Sequence, residues 1–395
     1  MNTQNPEILV LGGGYAGMIA ALRLAGKSRA HITLVNALDT FVERIRLHQR
    51  AADQPLPQHS IPTLLGGKNV SFVQGWVTQL DTDQRAVTVQ TTQGAQTLHY
   101  DILVYALGST IDRDSVPGVR EHAYALNADN VGDLSKILPN SERLLVIGGG
   151  LTGIEAATEF AEAYPQLQVT LATCDTFGEN LSRKGQVYLR KSFARLGISI
   201  RDNAEVTEVL PNAARLANGE TLAFDVCVWA GAFRVGTLAD DAGLKVNERG
   251  QILIDRQMRS FSHPDIYAVG DAAYCPEVPT RMSCAAAMPM GSHAADNIAA
   301  ALKGQPQKPF RFGYAGQCIS LGRSDAMFQI VNSDDQPQEQ IISGRLAVGI
   351  KELICRLTVF SLHQPNFYIW PSPQTRIPDG RYIRELSPDA VRNRL

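Results

Sequence analysis

The chain has 395 residues, 44% of them hydrophobic, and its 37 Lys and Arg nearly balance its 39 Asp and Glu, for a formal net charge of −2. That balance argues against an electrostatic nucleic-acid binder, which needs a basic face, while the length allows two or three domains with large cores. No apolar run approaches the ~20 residues that cross a bilayer.

Six cysteines, Cys174, Cys227, Cys275, Cys284, Cys318 and Cys355, are scattered without a CxxC spacing. They read as buried thiols in a reducing, cytoplasmic setting, and neither a disulfide framework nor a zinc site is expected. HExxH and GxSxG are absent, the eight histidines are isolated, and no metal is expected.

The segment Met1–Pro6 is too short and polar for a secretory leader. Then comes "EILVLGGGYAG" at 7–17. Ile8 to Leu11 is an apolar run suited to a strand buried on both faces. Three glycines and a helical pattern, Met18–Leu24, follow. The spacing Gly12-x-Gly14-x-x-Gly17 suits a phosphate-binding turn. The first glycine allows the tight turn, the second lets a pyrophosphate approach the backbone, and the third lets helix and strand pack closely. The helix N-terminus then offers free N–H groups and partial positive charge to phosphates.

The same pattern returns as "RLLVIGGGLTG" at 143–153, with Gly148, Gly150 and Gly153 in the same places. The repeat extends beyond the turns. "HITLVNALDTF" (31–41) matches "QVTLATCDTF" (168–177), and "YDILVYALGS" (100–109) matches "FDVCVWAGAF" (224–233). One GxGxxG is a weak signal, but two in matching contexts indicate an internal duplication that holds two dinucleotides. The expected fold class is α/β, with two Rossmann-like units and a small α+β C-terminal segment.

Between the units, "DSVPGVREHA" (114–123) is polar and carries Pro-Gly, so it reads as a crossing between domains. "HPDIYAVGDAA" (263–273) is an apolar strand with no evident counterpart in the second unit. A helix is expected over 289–304, with Pro289 in its first turn and Gly304 at its C-terminal cap. Beyond "QPQKP" (305–309), "FRFGYAGQCISLGR" suggests strands, and a second helix is expected near Arg345–Phe360. Its apolar residues Leu346, Ile350, Leu353, Ile354, Leu357 and Phe360 share one face, with Lys351, Glu352 and Arg356 elsewhere. That face suits either a membrane surface or acceptor or the domain's own sheet. The interleaved acid and modest cationic content favour the sheet.

With both turns, "YDILVYALGS" and "IYAVGDAA" in place, the chain resembles the FAD-dependent pyridine nucleotide oxidoreductases with two dinucleotide-binding domains. The nearest branches are type II NADH dehydrogenases and apoptosis-inducing-factor-like flavoproteins. The resemblance implies a discontinuous FAD domain (1–117 and 251–308), an inserted NAD(P)H domain (118–250) and a C-terminal acceptor-side or interface domain (309–395). It also implies non-covalent FAD held by Gly12, Gly14, Tyr15, Ala16, Gly17, Asn36, Arg44, Val77, Ala106, Gly108, Asp271 and Met290. NADPH or NADH would be held by Gly148, Gly150, Leu151, Thr152, Gly153, Glu155, Thr173, Arg183 and Gly231. Glu155, in the position of the family's GxGxxGxE, would reach the nicotinamide carboxamide; its other reading is an acid near a helix N-terminus, where acids are favoured anyway. The helix from Pro289 would aim its N-terminus at the flavin, and no general acid or base is assigned.

Several positions depart from the family pattern. The disulfide-reductase CxxxxC is missing from "FVERIRLHQRAAD" (41–53), so no redox-active disulfide is expected there. Cys284 and Cys355 do not make the cysteine trio of the sulfide:quinone branch and read as buried structural thiols. Asn36 and Thr173 stand where ribose-binding acids usually stand. Without an acid at 173, and with Arg183 and Lys184 as countercharge, NADPH is expected to serve at least as well as NADH; Asp175 is the counterweight. "RMSCAAAMPMG" (281–291) lacks the glutamines of the type II quinone site. The expected function is hydride transfer from NAD(P)H through flavin to a quinone-like or other small acceptor. No nucleic-acid partner is expected, and the resemblance allows a peripheral membrane contact and a homodimer. The alternatives are a slow FAD-binding redox sensor or assembly factor, and a biosynthetic oxidoreductase acting on one metabolite.

Overall fold

The computed structural model describes residues 5–370. Residues 1–4, and the 371–395 part of the expected C-terminal domain, lie outside the described residues.

Strand β1 (Glu7–Leu11) leads into helix α1 (Tyr15–Lys27) and strand β2 (His31–Asn36). Strands β3 (Val70–Gln74) and β4 (Ile102–Tyr105) follow. The second unit has β5 (Tyr124–Ala125), β6 (Arg143–Ile147), helix α2 (Leu151–Ala163), β7 (Gln168–Ala172), helix α3 (Arg183–Arg195), β8 (Ser199–Arg201) and β9 (Val226–Trp229). Strand β10 (Ile266–Ala268) then returns to the first sheet, ahead of helix α4 (Cys284–Leu302). Strands β11 (Gly316–Ser320), β12 (Ala326–Val331) and β13 (Pro337–Ser343) form an antiparallel meander, and helix α5 (Arg345–His363) follows.

The two parallel sheets repeat each other strand for strand, in the orders β10-β4-β1-β2-β3 and β5-β9-β6-β7-β8. In β1 and β6 every residue after the first is buried, which is why both read as unbroken apolar runs. One expectation is corrected by this order: β10 does have a counterpart. Tyr267 and Ala268 pair with Val104 and Tyr105, as Tyr124 and Ala125 pair with Val228 and Trp229. The strand comes last in one unit and first in the other, which hid the match.

A second correction concerns α4, which starts at Cys284 and carries Pro289 inside. Proline there lacks the N–H that would bond the Ala285 carbonyl. The break falls near the helix start, next to the cavity that Ala285 lines. Gly304 does follow the helix, with φ +65°.

Among the described residues, three hydrophobic cores hold the fold. The meander contributes Ile319, Leu321 and Met327 to the core of the second unit, beside Ile154 and Phe160. The far end of α5 contributes Leu362 to the core of the first. The C-terminal segment therefore spans both units.

Helix α5 inverts its expected packing. Its buried residues are Ala347, Cys355, Thr358, Ser361 and Leu362. Leu346, Leu353 and Phe360 are 67%, 57% and 58% exposed, and Ile354 and Leu357 are exposed with them. Small and polar residues pack inward because this face must fit against the meander and carry charge into a cavity wall.

Candidate active site

The two glycine turns fold alike. Gly12 (φ +102°) and Gly148 (φ +124°) sit in a region that side-chain-bearing residues rarely adopt. A Cβ on either would also collide with the carbonyl of Ala106 or Ala230. Gly17 and Gly153 lie against the carbonyls of Gly12 and Gly148, leaving no room for a side chain. Gly14 and Gly150 differ: a Cβ there would meet nothing within 4 Å. They are the N-caps of α1 and α2, and neither helix start has a side-chain cap. By contrast, Ser182 caps α3 with its own hydroxyl. The uncapped N–H groups beside open space fit pyrophosphates at both sites.

Both turns open into one cavity of about 1130 Å³. Gly14, Tyr15, Ala16, Arg44, Ala106, Gly108 and Asp271 line it from the first unit, and Gly148, Gly150, Leu151, Thr152, Glu155, Thr173 and Gly231 from the second. Gly12, Gly17 and Gly153 shape the turns beneath it. Val77 and Asn36 lie off the lining, Met290 is buried under it, and Arg183 is exposed outside it.

The Asp271 carboxylate accepts the Ser109 hydroxyl at 2.7 Å and lies 3.7 Å from the Arg44 guanidinium. Arg44 also donates to the Ser109 carbonyl and lies over the Phe233 ring. Asn36 accepts the Gly13 N–H at 2.8 Å and donates to the Leu38 carbonyl at 2.7 Å, so it braces the turn. Thr173 occupies the corresponding place under Gly149.

The expected countercharge for a 2′-phosphate is not at the wall. The backbone N–H groups of Arg183 and Lys184 donate to Glu339 at 3.1 and 3.0 Å, and neither side chain lines the cavity. Beyond Thr173 the lining carries Asp175 and Glu179.

Glu155 is buried, and its carboxylate does not stand free for a carboxamide. Oε1 accepts the Ser320 N–H at 2.9 Å and is ion-paired with Lys351, while Oε2 lies 3.6 Å from His48 Nδ1. Burial alone would push the carboxyl up. The Lys351 ammonium, with the Ser320 N–H, outweighs this and holds it below the usual carboxylate range. Burial opposes the charge on Lys351, but Glu155 holds the ammonium above its ordinary value. Burial lowers His48 to about 4, so its ring is neutral at neutral pH.

Lys351 is the main residue that reading the sequence missed, because α5 was expected to turn it away. Three further lining groups come from the meander and from the loop before α4: Gln317, Cys318 and Arg281. Arg281 lies 3.2 Å from Asp335 and over the Tyr314 ring. Gln317 donates to Asp335 at 3.3 Å. Gln317 thus brings a side-chain amide to the wall from the meander. Among the described residues no group of His, Cys, Asp and Glu could hold a metal ion, and the six cysteines are free.

Paired parallel sheets, two uncapped glycine-turn helices and one shared cavity define a two-dinucleotide flavoprotein oxidoreductase. The chain belongs to the pyridine nucleotide-disulphide oxidoreductase family, whose profile matches residues 6–291. It is an enzyme that uses FAD and a nicotinamide dinucleotide. It is 27% identical to an NADH dehydrogenase-like protein of Mycobacterium tuberculosis over 351 residues, covering 82% of this chain and 87% of that one. It is also 27% identical to a type II NADH:quinone oxidoreductase of Staphylococcus aureus over 410 residues, covering 92% and 97%. The crystal structure of a sulfide:quinone oxidoreductase from Aquifex aeolicus shares the fold, with a TM-score of 0.78, 19% identity and coverage of 91% and 92%.

Proposed function

We propose that the chain passes hydride from NADH to FAD and then reduces a quinone-like acceptor, without a redox-active disulfide. The supporting observation is the continuity of the cavity from both glycine turns to Gln317, Lys351 and Ile354. In this reading residues 1–117 and 251–308 hold FAD, 118–250 the nicotinamide coenzyme, and 309–395 the acceptor side. FAD supplies the two-electron relay. Gly14 and Gly150 leave room for the two pyrophosphates, and Asp271 would hold the flavin's sugar chain by accepting a hydrogen bond from it. Quinone reduction places negative charge on a ring oxygen. Lys351 Nζ holds a proton at the cavity wall, where it stabilises that charge and donates to that oxygen. Glu155 keeps Lys351 protonated and fixes its position. Anaerobic NADH should bleach the flavin, and a short-chain quinone should restore the colour. Failure of NADH to bleach it within minutes would favour the slow redox sensor.

We infer from the acidic lining at Asp175 and Glu179 that NADH, rather than NADPH, is the preferred coenzyme. A 2′-phosphate beside Asp175 and Glu179 would meet like charge without Arg183 or Lys184 at the wall to offset it, a cost of roughly 1–3 kcal/mol. NADH should be favoured at least about tenfold in kcat/KM, and Asp175→Ala should narrow that ratio. Equal use of NADPH by the unaltered protein would overturn this reading.

The exposed face of α5 continues into Phe367 and Ile369, 79% and 87% exposed. An apolar stripe beside a cavity for an apolar acceptor fits a membrane surface. No helix of the described residues is long and apolar enough to cross a membrane. Cosedimentation with anionic vesicles should be lost in Leu353→Glu/Leu357→Glu, with NADH bleaching of the flavin retained. Undiminished sedimentation of that variant would remove α5 from the contact.

A further inference from the structure

Helix α2 buries two carboxylates one turn apart on the same face, Glu155 and Glu159. Glu155 holds Lys351 at the cavity wall. Glu159 lies behind that wall and does not line the cavity. Its side chain is 0% exposed, yet it is tied to the surface. Oε1 accepts the Arg323 Nε–H at 3.0 Å, and the Arg323 side chain is 49% exposed. Arg323 comes from the turn between β11 and β12. Gln54, from the first unit, donates to the same oxygen. Glu162, almost a turn further along α2, accepts the Arg323 backbone N–H and the Ser324 hydroxyl.

Oε2 of Glu159 is buried with no hydrogen-bond partner among the described residues. Ionisation would leave charge on a desolvated, unpaired oxygen. Burial accordingly raises the carboxyl, Glu162 adds to the rise, and Arg323 and Gln54 offset only part of it. Glu155, one turn away, is held low by Lys351. The two acids therefore divide the work: Glu155 stays charged, and Glu159 takes up a proton. His48, on the other side of Glu155, has a buried Nε2 that is likewise unpartnered.

We propose that Glu159 is the proton store that reloads Lys351 after each acceptor is reduced. This rests on the quinone reading of the cavity. An apolar acceptor seated over Lys351 keeps water from the ammonium on the cavity side, so the replacement proton comes from behind the wall. When the acceptor oxygen is protonated, an N–H bond of Lys351 breaks and an O–H bond forms. The O–H bond of Glu159 then breaks, its proton passes through the Glu155 carboxylate, and an N–H bond re-forms on Lys351. Glu159 recovers a proton from solvent at the Arg323 end. One proton enters for each acceptor reduced, and no residue changes its oxidation state.

The test compares the FAD-loaded protein with Glu159→Gln, which keeps the size of the side chain but holds no exchangeable acid. Each is reduced anaerobically with NADH and mixed with a short-chain quinone. The first reoxidation of the flavin should be unchanged in the variant, because Lys351 starts loaded. Steady-state turnover should fall about a hundredfold, the usual worth of a proton-transfer group. The solvent deuterium isotope effect should grow on turnover and not on the first reoxidation. A residue that only held the fold would slow both phases or neither. In the unaltered protein, a pH dye in weakly buffered solution should report proton uptake that lags behind flavin reoxidation, a result that stands even if the variant fails to fold. Uptake in step with reoxidation, or an equal loss in both phases of the variant, overturns the proposal. Full turnover in Glu159→Gln with normal reoxidation overturns the store alone. Absence of any reoxidation by quinone in the unaltered protein overturns the acceptor reading, and the store with it.

Discussion

Gly14→Val is expected to give a folded but colourless protein. The residue has φ −78° and ψ −170°, an extended conformation open to any side chain. A Cβ at this position meets nothing within 4 Å. Strand β1, the turn and α1 can therefore form unchanged. The isopropyl group instead fills the space through which a pyrophosphate would approach the α1 N-terminus. Losing those charge-assisted bonds, each worth roughly 1.5–3 kcal/mol, together with the steric block, should remove most of the flavin. Gly17→Val makes the contrast. Its side chain would run into the Gly12 carbonyl, so it should lower the melting temperature whether or not FAD is supplied. Circular dichroism and the flavin absorbance of the purified variants separate the two effects. A yellow Gly14→Val with full flavin content would show that the cofactor does not lie over this turn.

The duplication was legible because each unit writes its own β1-turn-α1 signature in a contiguous stretch. The glycine spacing states a steric requirement that only one residue type meets. Two features were illegible for different reasons. The match between β10 and β5 was hidden by chain order, although Tyr267-Ala268 and Tyr124-Ala125 occupy the same register positions. The orientation of α5 was hidden by its composition. Its large apolar residues form the more conspicuous stripe, yet the buried face follows Ala347, Lys351, Cys355, Thr358 and Leu362. That series keeps helical spacing too, but it is written in small and polar residues, which hydrophobicity alone does not weigh. Nothing in the local sequence announces that Glu155 lies opposite, 196 residues away. The pairing arises only when the meander docks on the second unit.

That pairing gives the second large effect, expected from Lys351→Met. The ammonium sits at the wall with only 13% of its side chain exposed, and Glu155 opposite it with 11%. Removing one partner of a buried pair leaves the other charge uncompensated, at a cost of about 3–5 kcal/mol. Glu155→Gln/Lys351→Met removes both charges and should recover much of that stability. Catalysis should not recover with it. Loss of a preorganised cation from a developing oxyanion costs roughly 10²-fold or more in rate. In stopped-flow measurements, bleaching of the flavin by NADH should be little changed in both variants, while reoxidation by quinone should fall about a hundredfold in both. The loss should appear in kcat more than in KM, because the cation acts on charge that develops only as the acceptor is reduced. If Lys351 were merely structural, the double variant would regain reoxidation along with stability. Unimpaired reoxidation in that variant would move acceptor reduction to another part of the cavity.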